Sequence, residues 1–231
     1  MKKYVILLLS LFPLWVSAQK RETVEAAAGE DLSKKASAQM QFLFPEFTAG
    51  DVYYMNMPKG SGKLNYNMLL GEMQFLENGN VLALANVKNV SVVHIGKRKF
   101  YPFNEKEFTE ELLSTDQWKL RVRRKGNAAS HSKRAAYGGY SSTSSITSYS
   151  SIDSDNRHHE LSVIENVLIS LNCFYYIVGT NGKHILIRNL KTFTKQFPAH
   201  KAQIEAFVKE HNIKFDKDDD LKKLLEYCSK F

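Results

Sequence analysis

The sequence predicts an α+β fold in which a mainly antiparallel β-meander or open barrel is followed by two to three C-terminal helices. Three observations predict this class. Apolar and polar residues alternate along short segments up to residue 188, tight-turn residues separate those segments, and helical spacing begins near residue 190. Short links favour antiparallel neighbours, because parallel strands need crossovers of a dozen residues or more. We therefore predict a single β-rich domain over residues 42–231.

The first residues have the three-part pattern of a secretory signal. Lys2 and Lys3 are basic, residues 4–15 are almost entirely apolar, and the small residues around Ala18 form a cleavage end. The apolar run is about twelve residues, shorter than the roughly twenty that a membrane-spanning helix needs. We expect residues 1–18 to be a cleaved signal peptide, the product to be periplasmic or secreted, and no transmembrane segment to remain.

The next elements follow from local pattern. Residues 19–41 are polar and alanine-rich, which predicts a flexible lead-in or a loosely docked helix. Residues 64–68 and 73–75 alternate between apolar and polar side chains, as half-buried strands do. Asn78-Gly79 predicts a tight hairpin turn, because both residues tolerate positive φ values.

The composition changes after the first block of strands. Residues 126–156 are dominated by Ser, Gly, Ala, Thr and Tyr, which predicts a long loop. Residues 108–113 fit either a strand or a short helix, and the pattern leaves both open. The other predicted strands lie at residues 90–95, 99–103, 118–124, 161–171, 173–178 and 183–188.

The C-terminal end has apolar residues at helical spacing, i, i+3, i+4 and i+7. A shorter helix is marked by apolar residues from Leu190 onwards and ends before Pro198. The two longer amphipathic helices are marked by Ile204, Phe207, Val208 and His211, and by Leu221, Leu224, Leu225 and Cys228.

The charge of the chain suggests the chemistry of its partners. The formal net charge is +8, and it falls by two when Lys2 and Lys3 leave with the signal. An exported protein rarely meets nucleic acid, so we expect none as a partner. An envelope protein or an anionic glycan fits the basic balance better.

A basic strand end is the first candidate for a binding surface. Alternation places Arg121 and Arg123 on one face of the strand at residues 118–124 and Arg124 on the other. One interpretation is a charged edge strand that discourages pairing with other chains. The other is a docking patch for an anionic glycan or lipid.

The serine-rich segment is the second candidate. Tyr137, Tyr140 and Tyr149 interrupt it, and tyrosine among serine and glycine is typical of adaptable binding loops. Either a disordered insertion or a contact that orders on binding is consistent with this composition. Arg121, Arg123, Arg124 and these three tyrosines are our candidate binding residues.

The two cysteines have two interpretations. Cys173 lies in a strand-like run and Cys228 at an apolar helix position, so both fit small buried hydrophobic residues. In an oxidising compartment they could instead form a disulfide that clamps the last helix to the sheet.

No motif assigns a catalytic, cofactor-binding or metal-binding residue. Residues 59–63 resemble part of a phosphate-binding loop, but Leu64 stands where Ser or Thr is required, so we predict a hairpin turn. Asp216, Asp218 and Asp220 fit the start of a calcium loop, but the later ligand positions do not, so we predict helix capping. No cofactor is implied, and the sequence favours a non-enzymatic protein over an enzyme.

Four segments together carry a resemblance. They are residues 47–53, 64–67, 72–75 and the end from Phe193 through residues 220–225. They resemble a family of exported, uncharacterised proteins of Gram-negative bacteria, with a β-rich body and short C-terminal helices. The resemblance implies an envelope location and no assigned activity. We expect a non-enzymatic envelope protein that binds a protein or glycan; the alternatives are a hydrolase acting on envelope polymers and a structural envelope protein.

Overall fold

The computed structural model describes residues 23–26, 37–130 and 167–231. The predicted signal peptide and the three tyrosines of the serine-rich segment lie outside the described residues. The strands are β1 (Thr23–Ala26), β2 (Thr48–Tyr54), β3 (Gly60–Asn67), β4 (Glu72–Glu77), β5 (Asn80–Ala83), β6 (Val90–Ile95), β7 (Arg98–Pro102), β8 (Phe108–Ser114), β9 (Trp118–Ser130), β10 (Val167–Gly179) and β11 (His184–Ile187). The helices are α1 (Ala38–Gln41), α2 (Leu190–Thr194), α3 (Lys201–Glu210) and α4 (Asp218–Cys228).

These strands form one antiparallel sheet followed by helices, which confirms the predicted α+β class. The order is β1-β10-β9-β8-β7-β6-β2-β3-β4-β5, and β11 pairs with β10 beside β1. Within the sheet, β2 to β5 and β6 to β10 are two meanders joined by the β2–β6 pair. The predicted hairpin between β4 and β5 is confirmed, because Asn78 and Gly79 have φ values of 50° and 81°.

Several boundaries differ from the predictions. Residues 108–113, which the sequence pattern left open as a strand or a short helix, lie in the strand β8. The predicted start of the long loop, residue 126, is too early in the chain, because β9 continues to Ser130 and pairs there with Val167. The two strands predicted around residue 172 are one, because the β9–β10 ladder is unbroken from Val167 to Gly179. The segment predicted as a lead-in, residues 19–41, contains β1 and α1.

One face of the sheet, the inner face, supplies two hydrophobic cores. In the curled half, β2 to β8 wrap around a core that includes Tyr66, Phe100 and Phe108, each fully buried. The curl is fixed where the β3–β4 turn meets later strands: Phe108 N–H donates to the Gly71 carbonyl at 2.8 Å, and Gly126 N–H donates to the Leu69 carbonyl at 2.9 Å. The sheet therefore closes on its own side chains at this end.

In the helix-covered half, β9, β10 and β11 do not enclose their own apolar face. Helices α2, α3 and α4 cover it instead, as their apolar spacing predicts. The core there includes Leu120, Val122, Tyr175, Ile177, Phe193, Ile204, Leu221, Leu224 and Leu225.

The two cores meet at a buried charge cluster. Glu110 and Arg124 are 2% and 6% exposed, and their side chains are joined by a salt bridge. Arg98 Nε lies 2.9 Å from the other oxygen of Glu110, and Arg124 Nη2 lies 2.5 Å from Asp218 Oδ2 at the start of α4. Tyr175 donates to the second Asp218 oxygen at 2.7 Å. This cluster ties the curled half, the central strands and the last helix together.

Candidate binding surface

The face of the sheet opposite both cores, the outer face, carries two of the three candidate binding residues that the structure describes, Arg121 and Arg123. Cross-strand pairing places one residue from each neighbouring strand in register, and such pairs interact directly. The resulting charged row is Asp51, His94, Lys99, Glu111 and Arg121, with Tyr176 at its end. The charges of Lys99, Glu111 and Arg121 alternate in sign along the row, so these neighbours attract one another.

Arg121 is buried on this face. It is 8% exposed, its guanidinium carbon lies 3.8 Å from the centre of the Tyr101 ring, and its Nη2 lies 3.8 Å from Glu111 Oε2. Stacking of a guanidinium on an aromatic face is favourable, and more so when water is excluded. Burial lowers the pKa of Arg121, although the Glu111 carboxylate acts in the opposite direction. The side chain is thus held in one place by a ring and a carboxylate.

Arg123, one pleat further along β9, lies between two rings. Its guanidinium carbon is 4.6 Å from the Phe103 ring centre and 4.9 Å from that of Phe174. Arg123 Nη1 donates to Glu107 Oε2 at 2.6 Å, and Lys125 donates to the other oxygen of Glu107. Burial acts to raise the pKa of Glu107, but Lys125 and Arg123 outweigh it, so that pKa is lowered.

Arg124 points the other way, into the charge cluster between the cores, so the three arginines do not share one surface. The edge-strand interpretation of this segment is wrong, because β9 is paired with β8 on one side and β10 on the other. Arg121 and Arg123 remain together, as alternation predicted. Their partners Tyr101, Phe103 and Phe174 were not predicted; the period-two pattern of residues 99–103 was the available signal.

Four buried polar atoms near these arginines have no hydrogen-bond partner: Glu111 Oε2, Arg121 Nε, Arg123 Nε and His184 Nε2. The ring of Phe103 joins the group, with its centre 5.5 Å from that of His184 and 5.2 Å from that of Tyr176. Burial lowers the pKa of His184, and the charge of Arg121 adds to this effect. Buried polar atoms are nearly always paired with protein or water, so four unpaired atoms in one cluster require an explanation.

The segment that resembles a phosphate-binding loop lies at the far end of the charged row. Residues 60–63 begin β3 rather than form the predicted turn. Asp51 accepts hydrogen bonds from Ser61 at 2.6 Å and Lys59 at 3.0 Å, which lower its pKa in that order. A shallow depression of about 580 Å³ is lined here by Ala49, Gly50, Asp51, Ser61, Gly62, Lys63, His94 and Gly96. A hydrolase of the Ser–His type would need these two side chains within hydrogen-bond reach. In the described part of the chain, no Ser and His side chains share a hydrogen bond.

The two cysteines and the C-terminal aspartates, the other residues that the sequence singled out, are not part of the outer-face surface. Cys173 is exposed and Cys228 buried, and both thiols are free, so the disulfide alternative is not formed in this structure. Helix capping by the aspartates is wrong, because Lys217 is the N-cap of α4 and makes no side-chain cap bond. Asp218 instead bonds Arg124 and Tyr175, and Asp220 accepts from the Lys214 N–H. Within residues 23–26, 37–130 and 167–231, no three His, Cys, Asp or Glu side chains form a metal-binding group.

The fold and this surface together define an antiparallel α+β protein with a basic, ring-lined outer face. No helix among the described residues has the length and apolar character to cross a bilayer. The chain matches none of the protein-family models, curated proteins or solved structures with which it was compared. The resemblance to exported Gram-negative proteins therefore stays a prediction.

Proposed function

We propose that this protein is an exported, non-enzymatic envelope protein that binds an anionic glycan through the outer face of β7 to β10. One observation carries the proposal: cationic side chains surround partly exposed aromatic rings on the sheet. Lys99 is exposed and Lys119 partly so, and Lys119 Nζ lies 5.9 Å from the Tyr101 ring centre. Sugar rings stack on aromatic faces, and cations attract the acidic groups of the polymer.

The charge balance of this face supports the choice of an anionic ligand. Lys99, Lys119, Arg121, Arg123 and Lys125 lie on it, against Glu107 and Glu111. Glu107 is shared by Arg123 and Lys125, so the two carboxylates leave a positive excess. Because the rings and ion pairs already hold the arginines, a ligand orders few side chains when it binds, which lowers the entropic cost.

The test is binding of the purified protein to an array of acidic and neutral glycans, followed by titration calorimetry. We expect acidic glycans to bind, with affinity that falls as salt rises. Replacing Lys99, Lys119 and Lys125 together by Ala should weaken binding at least about tenfold, the effect of roughly 1.4 kcal/mol.

The matched control is Lys195, Lys201 and Lys209 replaced by Ala. These three exposed lysines lie in the helical region, so the control removes the same charge from a different surface. We expect its affinity to stay within about twofold of wild type. Equal weakening in both triple variants would show that only net charge matters, and absence of glycan binding by the wild type would contradict the proposal.

A further inference from the structure

The cluster of four buried polar atoms that lack a hydrogen bond points to the kind of anionic sugar that the surface takes; one of them, Glu111 Oε2, has only the 3.8 Å ion-pair contact with Arg121 Nη2. The atoms belong to Glu111, Arg121, Arg123 and His184, on four different positions of β8, β9 and β11. Glu111 and Arg121 are each more than nine-tenths buried at the side chain, so bulk water does not readily satisfy them. A buried donor or acceptor without a partner is costly, and a ligand that supplies the partner recovers that cost.

The set contains both donors and an acceptor. Arg121 Nε and Arg123 Nε are donors, whereas Glu111 Oε2 is an acceptor when the carboxyl is ionised. A ligand that offers only acceptors, such as a phosphate polymer, matches the arginines and repels Glu111. A ligand that carries a carboxylate together with free hydroxyl groups matches all of them, because the hydroxyl donates to Glu111.

We infer that this cluster is a subsite for a uronic acid residue, with the sugar carboxylate on the Nε donors of Arg121 and Arg123 and a ring hydroxyl on Glu111. A guanidinium edge pairs with carboxylates and phosphates alike. The acceptor Glu111 is therefore what favours a sugar acid, because a sugar hydroxyl donates to it and a phosphate oxygen does not. The inference rests on the proposed glycan-binding function and adds the identity of the acidic sugar.

Phe103 is the side chain that must move to admit the sugar. Its ring contacts Arg123, Tyr176 and His184, and it lies on the segment between β7 and β8. Rotation of this ring away from Arg123 uncovers the face of the guanidinium that it stacks on. It does so without disturbing the β8–β9–β10 ladder, because Phe103 lies outside these strands. Hence the subsite opens by a side-chain rotation and not by a change in the sheet.

The experiment compares two probes of similar charge: a hexasaccharide of galacturonic acid and a linear polyphosphate of six phosphates. In Glu111→Met, we expect galacturonate affinity to fall about tenfold through loss of a hydrogen bond to a charged acceptor. Polyphosphate affinity should hold or rise, because a negative charge is removed. Glu205→Met, which removes an exposed carboxylate on α3, should change neither affinity.

A second measurement keeps the test valid if Glu111→Met folds poorly. In the wild-type protein, the ring ¹⁵N signal of His184 Nε2 should shift when the hexasaccharide is added, while that of His200 on the helical side should not. Galacturonate affinity within twofold of wild type in a folded Glu111→Met, or an unmoved His184 signal during sugar binding, would overturn the uronate subsite and leave glycan binding intact. Failure of the wild type to bind either probe would instead reject the proposed function.

Discussion

The curled half and the helix-covered half use the same face of one sheet but bury it by different means. In the curled half the strands have at most eight residues and the β3–β4 turn reaches back to β8 and β9, so the sheet encloses its own side chains. In the other half β9 and β10 run for thirteen residues each and need three helices to cover them. Strand length and turn contacts thus distinguish the half that encloses its own core from the half that needs a second layer.

The boundary between the two halves differs in chemistry from both cores. Each core is apolar within, yet the boundary is the ionic cluster of Glu110, Arg124 and Asp218. Burial acts to lower the pKa of Arg124, but the charges of Glu110 and Asp218 outweigh it and raise that pKa. Arg124 therefore stays charged, and its removal leaves a buried carboxylate with less compensation.

The largest expected effect comes from breaking this boundary with Arg124→Met. Glu110 is 2% exposed, and loss of one partner of a buried ion pair typically costs about 3–5 kcal/mol of unfolding free energy. Urea unfolding, followed by the fluorescence of Trp118, measures the loss. Lys201→Met, which breaks an exposed pair with Glu205, should cost about 1 kcal/mol or less.

Hydrogen exchange on Arg124→Met then shows whether the halves depend on each other. Since Arg124 contacts both, amides of β3 and of α4 should both lose protection. A loss confined to α4 would show that the curled half is stable alone and that the cluster serves only to dock the helix.

A smaller effect is expected within the curled half, at the cross-strand glycine pair Gly50 and Gly62. A Cβ on Gly50 would lie 2.6 Å from the His94 carbonyl oxygen and 2.9 Å from a Leu64 methyl, whereas a Cβ on Gly62 meets nothing within 4 Å. We expect Gly50→Ala to cost about 1–3 kcal/mol through forced backbone shifts, and Gly62→Ala to stay within about 0.5 kcal/mol of wild type. Thermal unfolding of both variants checks the difference; equal stability would show that β2 and β6 separate at little cost.

Local features of both halves could be predicted from sequence, and long-range ones could not. The Asn78-Gly79 turn and the helical spacing of α3 and α4 depend on neighbouring residues only. Alternation also separated Arg121 and Arg123 from Arg124. By contrast, the partner of Arg124 in α4 is 94 residues away, and no local pattern connects the two.

The outer-face site was only half predictable for the same reason. Its arginines come from one strand, but Phe103, Glu111 and His184 come from three other segments. Which of them meet is fixed by the strand order and by the register of each pair, including the shift between Glu111 and Leu113. A one-residue change of register would turn these side chains to the other face.

The last prediction changes no stability and tests the helix-covered half through its two cysteines. Cys173 is exposed on β10. Cys228, the last residue of α4, is packed in the core, where burial raises its pKa to about 12 from the ordinary 9.0. Three pKa units reduce the thiolate fraction about a thousandfold, and only the thiolate reacts quickly. Burial raises the pKa of Cys173 as well, but that thiol is exposed. A thiol reagent at pH 8 should therefore label Cys173 in the folded protein and Cys228 only after urea unfolds the helices. If neither thiol reacts until a reductant is added, the two form the disulfide that the sequence left open. Asp218 bonds Arg124, the cross-strand partner of Cys173, and α4 rises about 15 Å from Asp218 to Cys228. A bond between Cys173 and Cys228 would therefore require the helix to leave the position described above.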